Sequence, residues 1–218
     1  MIYNDEEAMK KFKLEFFELI ENSNILKIKN LIQTSKFKVW ELVDEEGNTG
    51  LIKACFYDME ELIETLILEV SKKLEADSGE MAIWINMKSD ISLNALHYAS
   101  FRGNIKIIKL LISKGADIRL ANENGLNVMH MAAQGNQPNS LFYFQHYHDM
   151  KVNSFDNLLS TPLHWAAYAD ADNAVDYLIA WKADLNLQDK DGLSPLHLAA
   201  MTGKLLLTYL LTYLFIYI

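Results

Sequence analysis

Four short segments of this chain return at a nearly constant interval, and that interval limits the fold more than any other feature. Asn94-Ala95-Leu96-His97, Asn127-Val128-Met129-His130, Thr161-Pro162-Leu163-His164 and Ser194-Pro195-Leu196-His197 carry their histidines 33, 34 and 33 residues apart. A fixed period of about 20–50 residues marks a chain built from stacked copies of one supersecondary unit. The flanks repeat too. Small residues follow each histidine: Ala99, Ala132-Ala133, Ala166-Ala167 and Ala199-Ala200. Gly103 and Gly203 close the helix that these begin.

Each unit reads as two helices. Asn104-Ile105-Lys106-Ile107-Ile108-Lys109-Leu110-Leu111-Ile112 places apolar residues at i, i+3 and i+4, the period of one helix face. Lys114-Gly115-Ala116-Asp117-Ile118 ends it with glycine at the C-terminal cap, and Trp181-Lys182-Ala183-Asp184-Leu185-Asn186 repeats that ending. In the tetrapeptide, Thr or Ser caps the first helix, and proline suits its first turn because the missing N–H has no helical partner there. Leucine enters the core, and the alanines let paired helices approach closely. These residues resemble the ankyrin repeat. The predicted fold is an all-α ankyrin-repeat solenoid of stacked helix-turn-helix units. His97, His130, His164 and His197 are read as structural repeat residues that hydrogen-bond backbone within and between repeats.

An older copy lies upstream. Asp44-Glu45-Glu46-Gly47-Asn48-Thr49-Gly50-Leu51-Ile52-Lys53-Ala54 keeps the Asp, Gly, Thr, Leu and Ala positions and lacks Pro and His. Ile52 stands 45 residues before His97. The excess over one period is placed within Leu66 to Trp84, as a lengthened helix plus the loop Glu75-Ala76-Asp77-Ser78-Gly79-Glu80. Phe12 to Thr34 reads as an atypical first helix pair, as end repeats often are. The expected organisation is a capping helix pair in 1–43, a divergent repeat with an insertion in 44–88, four repeats in 89–211 with the last incomplete, and an apolar tail in 212–218. Leu205 to Leu211 is the expected second helix of the last repeat. The whole run Leu205 to Ile218 holds no charge and is short of the roughly 20 apolar residues a spanning helix needs. A chain cut short is the favoured reading of that tail; a curtailed membrane segment and a docked partner are the alternatives.

Composition narrows the function. Half the residues are apolar and 22% are charged, and 3 Pro and 9 Gly exclude a disordered or collagen-like chain. The net charge of -9 removes the basic footprint a nucleic-acid binder needs, so DNA and RNA are excluded as expected partners. The acidic start Met1-Ile2-Tyr3-Asn4-Asp5-Glu6-Glu7 is unlike a secretory leader. One cysteine, Cys55, permits no intrachain disulfide and no Cys-based zinc site, which fits a reducing compartment, and it reads as a buried packing residue. A cytoplasmic location is expected, at the cytosolic face of a membrane in the case of a missing downstream domain. No Gly-rich phosphate loop occurs, and no cofactor is expected. His146-Tyr147-His148-Asp149 has a metal-site look but falls at a helix end entering a turn. Asp189-Lys190-Asp191-Gly192 starts like a calcium loop but has no closing Glu. Neither is assigned a metal, and no catalytic residue is assigned.

A closer resemblance rests on Ala132-Ala133-Gln134-Gly135-Asn136-Gln137-Pro138-Asn139-Ser140-Leu141, on Thr161-Pro162-Leu163-His164-Trp165-Ala166, on Tyr177-Leu178-Ile179-Ala180-Trp181, and on Ala183 to Asp189. Over roughly residues 92 to 204 these resemble the N-terminal ankyrin domain of the ankyrin-type DHHC palmitoyltransferases. The resemblance implies a cytosolic domain that recruits client proteins, followed in that family by transmembrane helices and a Cys-rich zinc domain whose Asp-His-His-Cys motif transfers the acyl group. A single cysteine inside a repeat supplies none of that machinery. The chain is then expected to be a noncatalytic protein–protein interaction module, the client-recruiting part of a palmitoyltransferase-like protein; the alternative is a partial S-acyltransferase without its catalytic membrane domain. Its expected partner is a protein or extended peptide, and a membrane enters only through the tail or a missing downstream domain. The register places Asn157, Leu158 and Lys190 on turn tips, and Phe101, Arg102, Gln134 and Tyr168 on the exposed part of the first helices, with Trp165 bordering the same surface. Phe101, Arg102, Trp165 and Tyr168 are expected to form a groove for an extended peptide, with packing of Trp165 between repeats as the competing role.

Overall fold

The computed structural model describes residues 2–74 and 79–203. Residues 75–78 of the expected loop, the expected helix Leu205–Leu211 and the tail 212–218 lie outside the described residues. Among the described residues there are twelve α-helices, one 3₁₀ turn at Val39–Glu41 and no β-strand. The chain divides into two compact units, one of residues 1–98 and 109–117, the other of residues 99–108 and 118–218.

The first unit begins with α1 (Ile2–Glu21) and α2 (Ile25–Thr34). Ser23 turns the chain between them with φ 52°, and Asn24 caps α2 by accepting the Lys27 amide at 3.2 Å. α1 starts ten residues before the helix read from Phe12. Residues 5–8 are exposed, and the Glu, Ala, Met and Lys residues of 6–11 favour helix without packing. Phe16, Phe17 and Ile20 are its buried residues, and Ile28 and Ile32 face them from α2.

α3 (Gly50–Phe56) and α4 (Glu60–Ser71) form the next pair. Thr49 caps α3 by accepting the Ile52 amide at 3.2 Å, as the repeat pattern requires. The absent proline has a packing cause. The Phe16 ring would lie 2.8 Å from a Cβ on Gly50, so no larger residue fits there without displacing α1. In α4, Leu62, Ile63, Leu66, Ile67 and Val70 make one buried stripe. Beyond it the chain differs from the expected loop through Glu80. A separate helix, α5 (Glu80–Ile85), starts after Gly79 and buries Trp84 and Ile85. Asn86 at its end donates to the Gly115 carbonyl at 2.8 Å and accepts the Asp117 amide at 2.9 Å. Ala82 approaches so closely that a Cβ on Gly115 would meet its Cβ at 2.9 Å.

α6 (Ala95–Arg102) and α7 (Ile105–Ser113) follow in sequence, and Ile107, Ile108 and Leu111 are the buried face of α7. The second unit then runs through α8 (Val128–Gln134), α9 (Pro138–His148), α10 (Pro162–Ala169), α11 (Asp172–Ala180) and α12 (Pro195–Met201). α10 packs between α8 and α12, while α9 and α11 pack together behind them. Ala132, Ala133, Ala166, Ala167 and Ala199 are fully buried, which is what lets the first helices lie side by side. A Cβ on Gly135 would collide with the Phe101 carbonyl oxygen, so the signature glycine marks a backbone-to-backbone approach.

The linking turns recur with the helices. Asp44, Ser89, Asn122, Asp156 and Asp189 each donate their amide to the carbonyl four residues on, at 2.9–3.0 Å. In four of the five turns an Asp or Asn side chain also accepts two amides, at i+2 and i+4: Glu46 and Asn48, Asn124 and Leu126, Leu158 and Ser160, Asp191 and Leu193. Such residues favour turns because their short side chains satisfy nearby backbone donors.

The two equivalent helix endings are not equally relaxed. Gly115 has φ 97° and Lys182 has φ 61°, so a side chain sits where glycine costs nothing. Lys182→Gly is therefore expected to raise stability by about 1 kcal/mol, the scale of a residue's left-handed strain. Urea unfolding of the two proteins reads this directly, and a lower midpoint for Lys182→Gly would refute it.

Candidate functional site

The histidines complete the helix caps. Nδ1 of His97, His130, His164 and His197 accepts the backbone N–H three residues earlier, from Asn94, Asn127, Thr161 and Ser194, at 3.1–3.3 Å. Histidine thus takes the third-position role that Glu or Gln plays in a capping box. At His130 and His164 the proton sits on Nε2, which faces a carbonyl. That nitrogen of His130 donates to the Ser160 carbonyl at 3.3 Å, and that of His164 to the Leu193 carbonyl at 3.1 Å. Each bond reaches the start of the next repeat, 30 and 29 residues on. Burial lowers the His130 pKa to about 4, against the opposing pull of the Asp156 charge. His164 is shifted down for the same first reason.

The turn tips of the second unit are tied to one another. Asn157 donates its backbone N–H to the Asn124 carbonyl at 2.9 Å and its side-chain amide to the Glu123 carbonyl at 2.7 Å. Lys190 donates its backbone N–H to the Leu158 carbonyl at 2.9 Å. The Leu158 side chain stays exposed. In the first unit, Asp90 donates to the Glu46 carbonyl in the same manner, at 3.0 Å.

Two pairs of side chains stand out on the first helices of the second unit. The Arg102 guanidinium lies 5.8 Å from the centre of the Phe101 ring on α6. On α10, Trp165 and Tyr168 meet edge to face at 6.4 Å, with Tyr168 exposed and Trp165 half-buried. Gln134, half-buried at the end of α8, precedes the glycine that touches the Phe101 carbonyl. Trp165 is not held by ring contacts alone, because its indole N–H donates to Asp156 Oδ2 at 3.0 Å. Asp156 is 4% exposed and its other oxygen serves the turn. This carboxylate couples the tip to the aromatic pair, and its signal in the sequence is its position in the turn series.

Other singled-out residues are engaged locally. His146 stacks on Phe142 at 5.1 Å, and His148 packs on Tyr143 at 5.1 Å. Asp189 Oδ1 is taken by two turn amides. Cys55 is buried in α3, where burial and then the nearby Asp58 charge push its thiol up, so no thiolate nucleophile forms at neutral pH. Among the described residues no three His, Cys, Asp or Glu side chains converge as metal ligands, and no helix is long and apolar enough to cross a membrane.

The first unit holds a cavity of about 930 Å³ that sequence reasoning does not reveal. Its walls come from α1, from the turn at 44–48 with α3 and Tyr57 after it, and from Tyr98, three stretches well separated in the chain. Phe56 meets Tyr57 at 5.0 Å and Tyr98 at 5.3 Å, giving an aromatic wall. Within the cavity Lys53 bridges Glu21 at 2.8 Å and Asp44 at 3.3 Å.

A family model described as ankyrin repeats matches residues 76–156, 96–189 and 129–216. Among curated proteins, the palmitoyltransferase AKR1 of Lachancea kluyveri is 25% identical over 118 residues, which cover 53% of this chain and 16% of that protein. The human transient receptor potential cation channel subfamily A member 1 is 30% identical over 163 residues, 72% of this chain and 13% of the channel. The Notch-regulated ankyrin repeat-containing protein of Xenopus tropicalis is 45% identical over 49 residues, 22% of this chain and 43% of that protein. The chain therefore spans less than a fifth of the first two relatives and less than half of the third. With one cap, one turn and one helix pair recurring at the family's period, and the family model matched from residue 76 to residue 216, this chain belongs to the ankyrin-repeat family.

Proposed function

We propose that this ankyrin-repeat module holds an extended segment of a client protein against the tips and first helices of its second unit. The observation that carries this reading is the Trp165–Tyr168 pair. Its indole is fixed by a buried carboxylate while Tyr168 remains 57% exposed. Large aromatic and Arg side chains held in place in this way supply most of the energy at protein interfaces. Phe101 and Arg102 on α6 add a second such pair, and Gln134, Asn157, Leu158 and Lys190 are the flanking polar and apolar contacts. Trp165→Ala is expected to abolish peptide capture in a pulldown and to lower the melting temperature modestly. Lost stability with binding intact would defeat the groove and leave Trp165 as a packing residue.

The second reading concerns the parent protein. Similarity to a palmitoyltransferase, together with the 132–141 and 161–189 signatures, supports the client-recruiting domain of an S-acyltransferase acting at the cytosolic face of a membrane. The coding sequence downstream of Ile218 tests it. An open frame encoding transmembrane helices and a Cys-rich Asp-His-His-Cys block is the expected result; a stop followed by unrelated sequence overturns it.

A further inference from the structure

The cavity of the first unit shares no residue with the proposed groove, whose residues all belong to the second unit. Its charges do not cancel. Lys53 is already neutralised by Glu21 and Asp44, its side chain is 15% exposed, and its ammonium sits 5.6 Å from the Phe17 ring. Lys10 is paired with Glu6 outside the lining. Among the described residues that line the space, the carboxylates of Glu18, Glu45 and Glu46 then stand against Lys13. Glu18, Glu45 and Glu46 are exposed, and Glu46 accepts the Asn48 side-chain amide at 3.1 Å. The aromatic wall shares this field. The Tyr98 hydroxyl is pushed up first by burial and then by the charges of Glu46 and Asp44.

A negative rim beside aromatic faces is the combination that attracts a cation with an apolar neighbour. Ring faces attract ammonium and guanidinium groups, and carboxylates add charge-assisted hydrogen bonds. A volume of about 930 Å³ admits a few side chains of a ligand. We infer that the first unit carries a second binding site, which takes an extended segment of a partner protein presenting Arg or Lys beside leucine-like side chains. The cationic group is held by Glu18, Glu45 and Glu46, and the apolar group lies on Phe56, Tyr57 and Tyr98.

The test uses the full chain and three capped, fluorescent hexapeptides: alternating Leu-Arg, alternating Leu-Glu, and alternating Ser-Arg. Fluorescence anisotropy is expected to show saturable binding of Leu-Arg, none of Leu-Glu, and at least tenfold weaker binding of Ser-Arg. The double variant Glu18→Lys/Glu45→Lys is expected to weaken Leu-Arg binding at least tenfold with an unchanged melting temperature, since both side chains are exposed. Asp176→Lys/Asp191→Lys makes the same change of charge in the second unit and is expected to leave the affinity within twofold. Trp165→Ala is expected to leave it unchanged too, which keeps failure of this site distinct from failure of the groove. No saturable binding of Leu-Arg, equal binding of Ser-Arg, or equal loss in the two charge variants would each overturn the inference.

Discussion

Replacing Asp156 with alanine is expected to lower stability by about 4 kcal/mol, a large effect for one side chain facing a surface turn. Three donors depend on it. The amides of Leu158 and Ser160 each donate to Oδ1 at 2.8 Å, and the Trp165 indole donates to Oδ2 at 3.0 Å. At 4% exposure, water does not replace the carboxylate. Hydrogen bonds to a charged group contribute about 1.5–3 kcal/mol each, and buried donors left unpaired carry a further penalty. Losing three together is less than additive, because the turn relaxes once its acceptor is gone. For a chain of this size the melting temperature falls by about 10 °C. Thermal and urea unfolding measure it, and a loss under about 1 kcal/mol would show that the turn closes without its acceptor.

Asparagine at the same position separates the turn from the tryptophan. Asn122 occupies the equivalent place one repeat earlier, and its Oδ1 accepts the amides of Asn124 and Leu126. Asp156→Asn therefore keeps the turn. Its new amide group, however, faces the indole N–H, donor against donor. The expected loss is about 1–2 kcal/mol, and combining it with Trp165→Phe should add little, because both changes break the same bond.

That pair also shows what a sequence can and cannot disclose. The 33-residue interval, the capping residues and the buried alanines each act locally, so their pattern leads to the all-α ankyrin fold without coordinates. The histidine caps follow from the same logic, since a third-position side chain bonding back to the first is a local event. The bond from Asp156 to Trp165 is different. It joins a turn to a helix nine residues away, and Asp189 shows the same turn pattern with Leu198 at the matching helical position. Helix α5 is hidden for another reason: six residues are too few for a periodicity to decide between helix and loop. The cavity of the first unit draws its walls from three separated stretches, and nothing in any one of them signals the others. Gly50 is the intermediate case. The missing proline is plain in the sequence, but its cause, the Phe16 ring, belongs to the preceding helix pair.

Acid should weaken this protein well before its carboxylates titrate. Burial holds His130 near a pKa of about 4 in the folded state, against the ordinary 6.5 that an unfolded chain restores. Between those values the unfolded chain takes up a proton that folded His130 refuses. The contribution is therefore whole above about pH 6.5 and is lost as the pH falls toward 4. From pH 7 to pH 4.5 it amounts to about 2–3 kcal/mol, at about 1.4 kcal/mol for each tenfold change in proton concentration. His164, lowered by burial as well, acts in the same direction. The cap fixes where the ring's single proton sits. Nδ1 must stay unprotonated to accept the Asn127 amide, while Nε2 keeps its proton for the Ser160 carbonyl. A second proton would put a charge inside the core, which burial disfavours. Gln at position 130 supplies an N-terminal cap partner without titrating. His130→Gln is thus expected to lose some stability at pH 7 and to flatten the decline between pH 6.5 and 4.5. Urea midpoints measured across that range for both proteins decide the matter: parallel curves would remove His130 as the acid-sensitive group.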